Sequence, residues 1–231
     1  IGAEVFHALK KVLKDKKMAT GVGDEGGYAP DLKANEEGFM LIGEAIKNAG
    51  YKLGQNVELA IDAASSEFFE KGKYLLKKDK VNFTAKQLLA YYKKIVKKYP
   101  LVSIEDGFAE DDWDAWKALK KELPDIMQVG DDLFVTNVAR LGRGINEKVA
   151  NAILIKLNQI GTLSETVDAI KLAQENKYKV VISHRSGETA DTFISDLSVA
   201  CGAEYIKTGS LSRSERVEKY NRLMKIENEL Q

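Results

Sequence analysis

Residues 152–184 read AILIKLNQIGTLSETVDAIKLAQENKYKVVISH. Two short apolar runs, Ala152–Lys156 and Val180–His184, flank one long amphipathic stretch. Runs rich in β-branched residues suit strands covered on both faces. Between them, Thr162-Leu-Ser-Glu165 fits the capping box, in which hydroxyl and carboxylate satisfy orphan N–H groups reciprocally. Strand, helix and strand in that order predict a βαβ unit in a parallel sheet. The alternation continues both ways along the chain, with further strands expected at Val57–Asp62, Val102–Glu105, Met127–Asp131 and Tyr205–Lys207.

The segments between these strands read as helices. Thr84-Ala-Lys-Gln87 and Ser212-Arg-Ser-Glu215 are two more capping boxes. After the first, Leu88, Tyr92, Ile95 and Val96 keep helical spacing until Pro100 ends the pattern. Asp111 and Asp112 can cap a helix carrying Trp113, Trp116 and Leu119. Near the start, Ile1, Val5, Leu9 and Val12 form one helical stripe. Phe39, Ile42, Ile46 and Ala49 form another, closing at Gly50.

Barrel or doubly wound sheet is decided by the polar residues. Each expected strand ends on an ionisable side chain: Asp62, Glu105, Asp131, Lys156, His184 and Lys207. An open sheet concentrates its chemistry at a switch point, whereas a (β/α) barrel brings every strand end to one mouth. Any one such residue is equally well a charge meeting water. Six in succession favour the barrel, and the longer gap between Asp62 and Glu105 leaves room for an insertion.

Asp62, Glu105 and Asp131 are carboxylates from adjacent strands. Held together they repel and resist ionising, unless a cation neutralises them. An all-oxygen set of this kind suits Mg²⁺; its plainer use is in salt bridges to the nearby lysines. Lys156 and Lys207, crowded together near a dication, are expected to depress each other's proton affinity, which suits one of them to act as a base. Alternatively they balance the acids. In Ser183-His-Arg-Ser-Gly-Glu-Thr189, Arg185 offers a planar fork for phosphate. Ser186 and the N–H groups after it add donors at an expected helix start. His184 alone would read as a hydrogen-bonded core residue. Val22-Gly-Asp-Glu-Gly-Gly-Tyr-Ala-Pro30 is either a plain turn or a loop that presents Glu25 as a general acid.

Composition limits the alternatives. Lys+Arg and Asp+Glu are both 35, so the net charge is zero, which disfavours nucleic acid and charged membrane surfaces as partners. The single cysteine, Cys201, forms no internal disulfide and suits a reducing cytoplasm. No apolar run approaches the roughly 20 residues of a membrane span. Ile1 opens directly on a helical pattern, so the natural start of the chain is expected upstream.

The segments GDEGGYAP, DAASSEFF, VSIEDGFAEDDW, VGDDLFVTN, LIKLNQIGTLSE, VISHRSGETADTFISDL and IKTGSLSRSER occur in the order and approximate spacing of the enolase family. The chain resembles that family from about Gly21 to Glu229. Gly107, where many members have proline, gives the acidic loop a bacterial look.

The resemblance implies an α/β fold: one barrel domain over residues 1–231, lacking the first two barrel strands and the N-terminal α+β domain. It implies a Mg²⁺-dependent lyase that interconverts 2-phosphoglycerate and phosphoenolpyruvate, with two Mg²⁺ per active site. Asp62, Glu105 and Asp131 would bind the metal that holds the substrate carboxylate. Lys156 would remove the C2 proton and Glu25 assist loss of the C3 hydroxyl. Lys207 would stabilise the ene-diolate, Arg185 and Ser186 hold the phosphate, and His184 lie beside the leaving group. Further family residues precede Ile1, so the 231 residues alone are expected to be inactive. The resemblance also implies a homo-oligomer, dimer or octamer, at full length.

Two rivals stand beside this reading. A sugar-acid dehydratase of the same superfamily would share the carboxylates and the lysine, but would not need SHRSGE. Enolases also occur at cell surfaces bound to plasminogen, so a cytoplasmic protein with a secreted or surface fraction is expected. The Lys93–Lys98 run could serve that role, although such runs are usually solvated helix faces. The 231 residues end at Gln231, with the family's C-terminal tail expected beyond it, and so do not include the usual C-terminal lysine.

Overall fold

In the computed structural model, which describes residues 1–231, two helices come first, α1 (Gly2–Asp15) and α2 (Asn35–Asn48). Next come β1 (Leu59–Asp62), then β2 (Phe69–Glu70), β3 (Lys73–Leu76) and β4 (Val81–Phe83), and then α3 (Ala85–Lys98). Strand and helix alternate from there: β5 (Leu101–Glu105), α4 (Trp113–Glu122), β6 (Met127–Gly130), α5 (Val138–Glu147) and β7 (Ala152–Ile155). The short α6 (Leu157–Ile160) and α7 (Leu163–Glu175) precede β8 (Lys179–Ser183). The chain finishes with α8 (Phe193–Ala200), β9 (Tyr205–Lys207) and α9 (Ser214–Leu230).

Six of the strands form one parallel sheet in the order β1-β5-β6-β7-β8-β9. Apart from the inserted β2-β3-β4 meander, each strand lies beside its successor in the chain. A doubly wound sheet reverses its order at a switch point. This one never does, and sequential winding is the topology of a partial (β/α) barrel. The six expected strands are therefore all present, each within two residues of its expected bounds. The meander is the insertion expected in the long gap after Asp62.

By their internal contacts the residues group into two compact units: residues 1–57, 182–202 and 206–231 in one, and residues 58–181 with 203–205 in the other. In the first, α1 and α2 pack through Val12, Leu13, Leu41 and Ala45, flanked by Val5, Ala8 and Leu9. The expected stripe on α1 holds except for Ile1, which is exposed. On α2 the inward face is Leu41, Ala45 and Ile46. Ile42, expected inside, is exposed. Phe39 and Ile42 repeat at helical spacing, but so do Leu41 and Ala45, and spacing alone does not choose between two such stripes.

The second unit is built on β7, whose four residues are completely buried. Ala152 and Leu154 pack with Val129 and Val181. Burial on that scale contributes about 1.5–3 kcal/mol for each large aliphatic side chain. Leu154→Ala, which leaves a cavity as well, would cost about 2–5 kcal/mol. The helices are capped largely as the sequence predicts. Thr84 and Gln87 form both bonds of the capping box on α3, Asp112 accepts from the Ala115 N–H at the start of α4, and Thr162 accepts from the Glu165 N–H at the start of α7. In the meander, Tyr74 is fully buried; its hydroxyl donates to Asp112 Oδ2 at 2.7 Å and accepts from the Ala109 N–H at 3.1 Å.

The third expected capping box fails. Helix α9 starts at Ser214 and has no side-chain cap. Arg213 lies at φ 69°, and its guanidinium donates to the Gly23 carbonyl at 2.9 Å. Residues 212–213 thus turn toward the Gly23 loop, and Ser212 is not placed to cap.

Candidate active site

Parallel pairing sets the acidic residues. The register of β1 on β5 places Asp62 opposite Glu105, and Asp131 follows β6 by one residue. Asp131 accepts from Lys156 Nζ in a very short ion pair and from Gln159 Nε2 at 3.1 Å. Thr136, fully buried, donates through Oγ1 to Gln159 Oε1 at 3.0 Å and accepts from the Lys156 backbone N–H at 2.9 Å. Lys156 and Gln159 lie at the start of α6, so one buried threonine fixes both partners of Asp131.

Asp106 is a residue that sequence reading passed over. It is buried, lies at φ 43°, and its two carboxylate oxygens accept from the Asp131 N–H at 3.0 Å and the Asp132 N–H at 2.9 Å. Its role is to pin the turn that presents Asp131. Burial pushes its pKa up to about 7; the Asp132 N–H opposes this, and the charges of Asp131 and Asp132 reinforce it. Burial likewise raises the pKa of Asp132. Carboxylate oxygens of Asp106, Asp131 and Asp132 lie within 4.8 Å of one another. This trio is not the expected one: Asp62 and Glu105 sit at neighbouring strand ends outside it.

These residues fit a divalent cation. The donors are all carboxylate oxygens, which suit a hard ion. Buried negative charge raises the proton affinity of Asp106, and such a site is neutralised by protons or by a metal.

The other residues gather in the first unit. Beyond Ser183, His184 is 2% exposed, and its N–H donates to the Lys207 carbonyl at 2.9 Å, joining the ends of β8 and β9. Gly23 and Gly27 close the Glu25 loop by a 2.8 Å backbone bond, and Gly26 takes φ 79°. A Cβ on Gly26 would meet the Ser212 carbonyl oxygen at 2.4 Å, so the turn requires glycine. The loop sets Glu25 Oε2 3.5 Å from His184 Nε2, with Ser186 Oγ donating to Glu25 Oε1 at 3.4 Å. The Glu25 carbonyl accepts from the Ser210 N–H at 2.8 Å.

The expected helix start after Ser186 is absent, because α8 begins only at Phe193. The Glu188 carboxylate instead accepts from the Arg185 N–H at 3.3 Å and the Thr189 N–H at 2.9 Å. Two buried cations of α9 were also missed. Arg216 donates to carbonyls of both loops, and Lys219 to the Thr189 and Glu215 carbonyls with Glu188 Oε1 at 3.7 Å. Their only sequence signal is position: Arg216, Lys219 and Ile226 share the inward face of α9.

Sequentially wound βα units whose strand ends carry acids, lysines and a histidine define a catalytic domain of the (β/α)-barrel class. The chain belongs to the family described as enolase, C-terminal TIM barrel domain, whose model matches residues 1–231. This is a domain of enolase-superfamily lyases, and domains of the family generally bind Mg²⁺.

Proposed function

We propose that this chain is the catalytic barrel of an enolase, a phosphopyruvate hydratase that dehydrates 2-phosphoglycerate reversibly to phosphoenolpyruvate. The observation that carries the reading is the meeting of Glu25, His184 and Ser186. A carboxyl, an imidazole and a hydroxyl there suit a leaving hydroxyl beside a phosphate. A sugar-acid dehydratase would have no use for the phosphate-binding part.

In this reading Lys156 accepts the C2 proton and Glu25 donates one to the departing C3 hydroxyl. Two separate residues for the two proton transfers let each be tuned by its own surroundings. Asp62, Glu105 and Asp131 would hold Mg²⁺, which would supply the positive charge that makes a proton next to a carboxylate acidic enough to remove. Lys156 is paired with Asp131 in this structure. It can serve as the base only in its neutral form, released from that ion pair. Lys207 steadies the negative charge that develops, and Arg185 and Ser186 take the phosphate. No observation favours plasminogen attachment at Lys93–Lys98; Lys93 is tied to Glu122 at 2.6 Å and Lys98 lies over the Tyr99 ring.

The test separates the two steps in the enzyme that carries this chain. Lys156→Ala should abolish exchange of the C2 proton with deuterated water, followed by NMR. Glu25→Gln should keep that exchange and lose phosphoenolpyruvate formation by on the order of 100-fold or more. Chelation should stop both reactions, and Mg²⁺ should restore them. Exchange that persists in Lys156→Ala, or turnover of acid sugars in place of 2-phosphoglycerate, would overturn the assignment.

A further inference from the structure

Arg216 has a buried guanidinium with no anion among its hydrogen-bond partners. One terminal nitrogen donates to His184 Nδ1 and to the Arg185 carbonyl, each at 2.7 Å. The other donates to the Asp24 carbonyl at 3.0 Å and the Ser186 carbonyl at 2.8 Å. The residue is 1% exposed, and its Nε has no partner. Burying an unpaired cation is costly, so a helix that needed only packing would carry an apolar side chain there. The backbone makes room for it as well. Gly209 lies at φ 89°, and a Cβ there would meet Arg216 Cδ at 2.7 Å.

Two consequences follow from donor chemistry. Guanidinium has donors only, so His184 Nδ1 must accept, and the ring is neutral with its proton on Nε2. That nitrogen is buried without a hydrogen-bond partner, and Glu25 Oε2 lies 3.5 Å from it. Meanwhile the three carbonyls come from the loop that carries Glu25 and from the loop that carries Arg185 and Ser186.

We propose that Arg216 is a positioning residue: it fixes His184 as the neutral Nε2–H tautomer facing Glu25 and locks the Glu25 loop to the Arg185–Ser186 loop. This rests on the reading of Glu25 as the acid that serves the leaving hydroxyl. With Nε2–H beside it, Glu25 has a donor that steadies its carboxylate once the proton has left. The ionisable groups that act on His184 are Glu25, Arg216, Lys207 and Glu188. Burial outweighs the two acids and keeps the imidazole neutral, lowering its pKa to about 4.

The test uses enzyme labelled with ¹⁵N-histidine, with Arg216→Lys and Arg216→Gln as variants. The parent should show a neutral His184 protonated on Nε2 near neutral pH. In Arg216→Gln, whose amide also accepts, the tautomers should mix, the titration should move up toward 6.5, and kcat should fall on the order of 100-fold with a smaller rise in KM. Arg216→Lys keeps a donor for Nδ1, so it should hold the tautomer and lose about tenfold in kcat through the looser loops. Should the glutamine variant not fold by near-UV circular dichroism, the parent spectrum and the lysine variant decide. A parent His184 protonated on Nδ1, or charged at neutral pH, overturns the proposal, as does a tautomer that ignores Arg216→Gln. The imidazole spectrum needs no substrate. Lack of turnover with an Arg216-dependent tautomer therefore sinks only the enolase reading, and turnover with an indifferent tautomer sinks only this one.

Discussion

Burial is the largest influence on His184 and lowers its pKa from 6.5 to about 4; Glu25 pulls it upward, and Arg216 and Lys207 push it further down. The unfolded chain therefore takes up the proton first. The stability contributed by keeping this ring neutral is fully present above about pH 6.5 and declines as pH falls toward about 4, below which both states are protonated. Between pH 7 and pH 5 the loss should be about 2 kcal/mol. Urea unfolding of the parent and of His184→Gln at the two pH values isolates it, since the variant lacks this component. A parent-to-variant difference that stays constant between pH 7 and pH 5 would show that His184 titrates normally. The sequence flagged His184 through its place at a strand end, and Glu25 and Ser186 through their loops, but not the buried cations that α9 sets against those loops. Arg216 and Lys219 are charged residues on a helix, and pattern reading sends such residues to solvent. Asp106 was masked by Glu105 beside it, although its two backbone acceptor bonds make it the support for Asp131.

Capping boxes separate what local sequence decides from what the fold overrides. Thr84 and Ser212 look alike in sequence, each followed three residues later by a Gln or Glu. Thr84 accepts from the Gln87 N–H, and Gln87 Oε1 accepts in return from the Thr84 N–H at 2.9 Å. Ser212 makes no cap, because α9 starts beyond it. Thr84→Ala should thus cost about 1 kcal/mol, while Ser212→Ala should lie within about 0.5 kcal/mol of the parent. Urea midpoints at constant m-value distinguish them, and equal losses would mean that Ser212 caps α9 and the helix begins one residue earlier, at Arg213. The β2-β3-β4 meander was illegible for a related reason. Its strands are two to four residues long, too short for alternation to register, and Tyr74 is held by partners 35 and 38 residues away. What did read clearly was the βα repeat. Each of its strands carries its own apolar run and needs no distant partner to be recognised.

Sheet order has a consequence that no single strand reveals. Protection runs from β7, wholly buried, outward to β1 and β9, where Ala60 and Tyr205 are exposed. End strands present backbone N–H and C=O groups on which another chain can template. Sequential winding made the strand order readable from the alternation alone, but the decline in burial toward the ends becomes visible only in the folded chain. The polypeptide of residues 1–231, expressed by itself, should therefore associate beyond the monomer at micromolar concentration. Lysines are among the devices by which natural sheets blunt their edges, so Ala60→Lys with Tyr205→Lys should shift it toward monomer. Both positions are already open to solvent and leave β7 untouched. Size-exclusion chromatography with light scattering reads the mass, and near-UV circular dichroism checks that both proteins stay packed. A parent that runs as a monomer, or association indifferent to both lysines, would mean that the ends of this sheet are not the adhesive surface. Any association would then have to arise elsewhere, with the exposed Met40 and Ile42 of α2 the next surface to substitute.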